Sequence, residues 1–241
     1  MQERLDKFLA DQALLTRSEA RKAVTSGCVT VNGDRVKQAN MKINPIKDYV
    51  MLNGSRVEYT EFVYIMLNKP KGVLSAAADK SRKTVVDLVP KELFKKELFP
   101  VGRLDRDTTG FIIITNDGDF AHRVISPKSD IKKVYEVTLD KPVTDDTVLL
   151  FESGVTLADG TKCLPAKLAY SKTNPTFATV TINEGKYHQI KRMFGATGLG
   201  VEKLHRKSIG GISLDNKLKS GDCRLLTSDE ISVICKGNNK I

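Results

Sequence analysis

The sequence predicts an α+β fold in two parts. A small N-terminal α/β module occupies residues 1–59, a short hinge 60–63, and a larger sheet domain with flanking helices 64–241. Three observations carry this. Helical spacing gives way within the first sixty residues to two short strands that each end in Asn-Gly. Beyond residue 62, several separate strand patterns are interrupted by short helical ones. The chain, at 241 residues with 40% apolar composition, is long enough for a small domain plus a larger one.

In the first part, Leu5, Phe8, Leu9 and Ala13 fall at helical spacing and give one apolar face. Thr16 followed by Glu19 fits a capping box. The helix it opens turns Ala20, Ala23 and Val24 inward and Arg17, Arg21 and Lys22 outward, and Ser26-Gly27 closes it. Val29-Thr30-Val31 alternates like a strand, Asn32-Gly33 is a strong hairpin signal, and Asp34-Arg35-Val36 returns. The stretch from Asp48 to Val57 repeats the pattern around Asn53-Gly54.

In the second part, Val63–Leu67 reads as a strand that ends in the turn Asn68-Lys69-Pro70-Lys71-Gly72. Lys69 and Lys71 need do no more there than aid solubility. Residues 76–98 are charged, with a short helix over 84–90. Phe111–Ile114 is a buried strand closed by the turn Asn116-Asp117-Gly118. A helix over Phe120–Ile125 stops before Pro127, because a residue preceding proline avoids the α region. Ile131–Leu139 alternates as a strand with Tyr135 at its centre. Residues 142–175 read as short strands with turns at Asp159-Gly160 and Asn174-Pro175, and Phe177–Ile182 as another strand. Glu184–Phe194 opens a basic helix that buries Ile190, Met193 and Phe194 and leaves Lys186, Lys191 and Arg192 outward. A turn, a strand and a short helix follow from Gly221.

Net charge is +10, which suits a polyanionic partner. Residues 1–60 hold ten Lys and Arg against seven Asp and Glu, so most of the excess lies in the larger part, and both parts are expected to meet nucleic acid. No stretch approaches the ~20 apolar residues of a membrane span, and the N-terminus lacks a signal-peptide core. The expected location is the cytoplasm. The four cysteines and three histidines are scattered, with no C-x-x-C pair, so no metal site is expected and the thiols read as reduced.

Directly before the strand at Phe111 lies Gly102-Arg103-Leu104-Asp105-Arg106-Asp107-Thr108-Thr109-Gly110. A loop anchored on a core strand is a usual seat for reactive groups. Cations beside Asp105 favour its ionised form, which serves as nucleophile or base; a solvated Arg/Asp turn explains the same residues. Gly-Arg-Leu-Asp-x-x-Thr-x-Gly followed by an apolar strand and Asn-Asp-Gly closely resembles the catalytic motif of the pseudouridine synthases that modify ribosomal RNA. Three further stretches resemble that family: Leu67-Asn68-Lys69-Pro70 with Gly72, the Lys-x-Tyr at Lys133–Tyr135, and Glu184–Met193. The ending through Leu204-His205-Arg206 to Gly210-Gly211 does so as well. Residues 2–58 resemble the S4 RNA-binding module.

The resemblance implies a mixed, mostly antiparallel catalytic sheet and assigns the catalytic carboxylate to Asp105. Arg103 and Lys191 would hold it ionised, with Lys191 where arginine often stands. Tyr135 and Leu204 would sandwich the uracil, and Tyr135 would assist proton transfer. Thr108, His188, Gln189 and Arg192 would bind substrate. Arg4, Lys7, Arg17, Arg21 and Lys22 would meet RNA phosphates. His205 receives no role. The implied reaction converts one uridine to pseudouridine in 16S small-subunit rRNA, by a monomer, on naked RNA or a partly assembled particle, without cofactor or metal. The base must flip out of its stack to turn.

Alternatives are a synthase acting on 23S rRNA and a non-catalytic ribosome-assembly factor. An N-glycosidic hydrolase would need a second carboxylate, and Asp107 is disfavoured because neighbours two apart on an extended loop point to opposite sides.

Overall fold

The structure is a computed structural model that describes residues 2–13 and 15–236. It forms two compact units, one running to Val63 and including Pro90–Leu98, the other comprising Tyr64–Val89 and the chain from Phe99. The larger part is thus interrupted: Pro90–Leu98 cluster with the first unit, where Lys95 Nζ donates to Asp11 O and Gln12 Oε1 and Lys96 pairs with Asp11.

The first unit contains β1 (Glu3–Arg4), α1 (Leu5–Gln12), α2 (Arg17–Thr25), β2 (Val29–Val31), β3 (Asp34–Arg35), β4 (Lys42–Ile43), β5 (Val50–Leu52) and β6 (Ser55–Arg56). The capping box forms as the spacing predicts: Glu19 N donates to Thr16 Oγ1 at 3.1 Å and Thr16 N to Glu19 Oε2 at 2.7 Å. Both Asn-Gly pairs adopt positive φ and close the β2–β3 and β5–β6 hairpins of a four-stranded sheet. Leu5, Phe8, Leu9, Ala20, Val24, Val29 and Val50 form its core.

One polar group sits inside that unit. Asp6 is fully buried, and Arg4, Arg17 and Arg21 each reach it at 3.0 Å. The hydrogen bond from Arg4, reinforced by Arg21 and the charge of Arg17 and opposed by burial, lowers its pKa from the ordinary 3.8 to about 2. The three arginines are therefore not independent outward cations. They form one half-exposed cluster gathered around a carboxylate, while Lys7 pairs with Glu3 and Lys22 stays exposed. Because the folded pKa is depressed, Asp6 stabilises the unit at pH values above about 4. That contribution, about 2 kcal/mol, disappears as pH falls toward 2. Asp6→Asn is expected to destabilise the first unit by at least that much at pH 7 and to match the wild type near pH 2. Amide exchange in α1 and α2 as a function of pH measures it.

The second unit contains β7 (Tyr64–Lys69), β8 (Phe99–Pro100), β9 (Thr109–Thr115), α3 (Gly118–Ile125), β10 (Lys133–Leu139), α4 (Asp145–Ser153), β11 (Lys167–Ser171) and β12 (Asn174–Ile182). Then come α5 (Gln189–Ala196), β13 (Val201–Ile209), β14 (Ile212–Ser213), β15 (Cys223–Leu225) and α6 (Ser228–Lys236). A nine-stranded sheet runs β11-β12-β10-β13-β9-β7-β15, with β14 on β13 and β8 on β9. Only the β9–β13 pair is parallel, so the sheet is mixed and mostly antiparallel, as expected.

α4 replaces a stretch expected to be strands. Val148-Leu149-Leu150-Phe151 is an apolar run too short for periodicity to decide. Thr144 caps the helix by accepting from Thr147 N, and of the run only Phe151 is buried. Asn116-Asp117-Gly118 is less a free turn than a helix start, since Asp117 Oδ1 accepts from Phe120 N at 2.9 Å.

Candidate active site

The β9–β13 seam sets the site. Arg206 on β13 lies opposite Gly110 of β9 on one side and Tyr135 of β10 on the other. Gly110 has φ +101°, and a Cβ there would stand 2.4 Å from Arg206 O and 2.8 Å from Arg206 N. Only glycine allows the two strands this approach. The β10–β13 ladder slips between Val134 and Tyr135, leaving Lys207 as the extra residue. With period-two alternation, Lys133, Tyr135, Leu204 and Arg206 share one sheet face.

The loop ahead of β9 is tied down from several directions. Leu104 N donates to Ser75 Oγ, which donates back to Leu104 O. Gly72 N donates to Arg106 O at 2.7 Å, and Thr108 N to Asp105 O at 3.1 Å. Lys69 is fully buried beneath it, and Nζ donates to Pro70 O, Asp105 O, Arg106 O and Thr108 O at 2.8–3.3 Å. Burial pushes its pKa down to about 8, against the raising fields of Asp107 and Asp105. Solubility is not its role. The sequence signal that could have exposed this is position: Lys69 continues the alternation of a strand whose Ile65 and Leu67 are both buried.

The turn brings Asp105 and Asp107 to one cation. Lys191 Nζ lies 3.3 Å from Asp105 Oδ2 and 2.6 Å from Asp107 Oδ1. The argument that two residues two apart must diverge fails here because the loop is turned, not extended. The hydrogen bond from Lys191 lowers the Asp107 pKa. Burial works to lower that of Lys191, but the hydrogen bond to Asp107 and the charge of Asp105 raise it overall. Asp107 is thereby held in an ion pair, more than half exposed.

His188, in the left-handed conformation at the start of α5, places Nε2 3.4 Å from Asp105 Oδ1 and stacks on Tyr187. Leu104, Asp105, Thr108, Tyr135, His188 and Leu204 line a small cavity of about 60 Å³, which Gln189 and Arg103 also border. Tyr135 and Leu204 are buried diagonal neighbours there. Thr108 is 1% exposed, and among the described residues its hydroxyl has no hydrogen-bond partner.

Three expected residues are placed otherwise. Arg103 borders the cavity, but among the described residues no ion pair joins it to Asp105; Lys191 takes that position. Arg192 turns away to Asp159 at 2.5 Å, a residue brought close by the 156–162 loop. Gln189 is engaged within the protein, donating to Glu184 Oε1 and accepting from Lys186 N. Lys186 pairs with Glu184, so none of the helix cations expected to be free is unpaired. His205, given no role, has Nδ1 2.9 Å from Thr109 Oγ1 and braces the seam.

Comparison with known proteins agrees with this geometry. Residues 63–196 match the family model of RNA pseudouridylate synthase, and residues 3–45 match the S4 domain. The chain is 40% identical to the ribosomal small subunit pseudouridine synthase A of Escherichia coli (strain K12), over 96% of this chain and 99% of that protein. It is 44% identical to a Bacillus subtilis (strain 168) protein named as an uncharacterized RNA pseudouridine synthase, YtzG, over 96% and 98%. A crystal structure of pseudouridylate synthase superposes with a TM-score of 0.67 at 38% identity, covering 96% of this chain and 99% of that one. With a carboxylate and a buried tyrosine around one cavity, a cation paired to that carboxylate, and an S4 domain ahead of them, the chain belongs to the RNA pseudouridine synthase family, enzymes that isomerise uridine within RNA.

Proposed function

We propose that this enzyme converts one uridine of 16S small-subunit ribosomal RNA to pseudouridine. The observation that carries the reading is Asp105, paired with Lys191 at 3.3 Å at the edge of a cavity walled by Tyr135 and Leu204. The choice of the small subunit is supported by 40% identity, over nearly the whole of both chains, to a protein of that name. Residues 1–59 hold the RNA and residues 64–241 carry out the chemistry.

The target nucleotide flips out so that uracil lies between Tyr135 and Leu204 with C1′ toward Asp105. The glycosidic bond from N1 to C1′ breaks, the base turns, and C5 bonds to C1′; the proton that leaves C5 is balanced by one taken up at N1, so the product is an isomer of the substrate. Asp105 acts at C1′ or at C6, or takes the 2′ proton on the way to a glycal. Lys191 balances its charge, and Thr108 offers a free hydroxyl to the uracil. No redox change occurs and no water is consumed, so neither cofactor nor second acid is needed. The enzyme acts in the cytoplasm as a monomer, on RNA or a partly assembled particle.

The test is incubation with 16S and 23S rRNA carrying tritium at uracil C5. Release of about one equivalent from 16S alone is expected. Release from 23S alone moves the substrate to the large subunit. No release from either, naked or with ribosomal proteins bound, despite salt-sensitive binding, leaves an RNA-binding assembly factor.

A further inference from the structure

Beside the small cavity lies a cleft of about 710 Å³ that shares Arg103, Asp105, Tyr135 and His188 with it. Lys133 and Arg206 line this cleft, and the uridine reaction as written uses neither. Lys133 is 7% exposed, and among the described residues its Nζ has no hydrogen-bond partner. Arg206 is 5% exposed; Nε donates to Phe111 O at 2.6 Å and Nη1 contacts the Tyr135 hydroxyl at 3.4 Å, while Nη2 has no hydrogen-bond partner among the described residues. Two buried cations thus offer free donors on the sheet face that carries Tyr135.

Such a pair is costly unless an anion completes it. Burial, and next the charge of Arg206, push the Lys133 pKa down to about 8, with Asp130 opposing. The acids lining the cleft are already engaged. Asp105 is held by Lys191 and His188, and Glu184 by Lys186, Gln189 and Leu164 N. A uracil carbonyl is neutral and would meet only one such donor. A phosphate group carries formal charge and several acceptor oxygens, and in a nucleotide it lies one sugar away from the base.

We propose that Lys133 and Arg206 form an anion subsite that takes a phosphodiester group of the target strand beside the flipped uridine. Resting on the synthase reading, this makes both positioning residues. They fix the sugar–phosphate backbone so that C1′ faces Asp105, and they touch neither the reacting atoms nor the base.

The full-length protein is titrated with uridine, with uridine 3′,5′-bisphosphate and with inorganic phosphate. The same titrations are made on Lys133→Met and Lys133→Arg; Arg206 is left intact because it also holds the Phe111 carbonyl. The bisphosphate is expected to bind wild type at least about tenfold more tightly than uridine, the scale of one charge-assisted hydrogen bond. In Lys133→Met the ratio falls to near one with uridine affinity unchanged, and in Lys133→Arg it recovers. Thermal unfolding of Lys133→Met is expected to be no easier than that of wild type, since a buried unpaired charge is removed.

A ratio that survives Lys133→Met overturns the subsite, as does a bisphosphate that binds wild type no better than uridine. Inorganic phosphate binding as tightly as the bisphosphate assigns the site to free phosphate and overturns the strand contact. Tritium release by wild type decides the synthase reading separately, so either can fail alone.

Discussion

Asp105→Asn is expected to abolish tritium release from uracil C5, by at least about 10³-fold, while RNA binding is retained. The substitution keeps shape and removes the negative charge, so the loop tied by Ser75, Gly72 and Lys69 has no reason to rearrange. Lys191 then keeps Asp107 as its only carboxylate, and the local field becomes more positive. Affinity for RNA should therefore stay the same or tighten, most visibly at low salt. Filter binding and single-turnover release on the same preparation separate the two effects. If the variant still releases tritium at a tenth of the wild-type rate, Asp105 is not the catalytic carboxylate. Asp107, held by the same lysine, is then the residue to replace next.

Much of this architecture was legible in the sequence because its signals are local. A capping box, two Asn-Gly hairpins and an alternating strand each depend on residues within one element. The loop around Asp105 stood out because polar residues precede an uninterrupted buried strand. What stayed hidden depends on partners distant along the chain. Arg192 reads as a free cation until Asp159 is brought to it, and Arg17 and Arg21, read with Lys22 as one outward helix face, share the buried Asp6 with Arg4. Alternation separates Asp105 from Asp107 only on an extended chain, and the turn they occupy brings both to Lys191. α4 is hidden because four consecutive apolar residues fit a strand and a helix alike.

Lys69→Met carries the second large effect, and it falls far more heavily on activity than on stability. The ammonium is fully buried and joins the carbonyls of Asp105, Arg106 and Thr108, three residues of the loop that presents the catalytic carboxylate. Methionine fills similar space but leaves those acceptors without a donor, at about 1–3 kcal/mol each. Relief of a buried charge, visible in a pKa depressed to about 8, offsets part of that loss. Global unfolding should therefore shift only modestly. The loop backbone has no such compensation: among the described residues it keeps its Ser75 and Gly72 bonds at one side, while Lys191 and His188 reach the Asp105 and Asp107 carboxylates rather than the backbone. Displacement of Asp105 by ~1 Å costs on the order of 10² in rate. Release of tritium is thus expected to drop about a hundredfold while the melting temperature moves by a few degrees. The amides of Gly72 and Thr108, which donate into the loop, should exchange faster. A variant with normal turnover would show that the loop holds its place without Lys69, and a variant that fails to fold would place Lys69 in the core rather than in the machinery of the site.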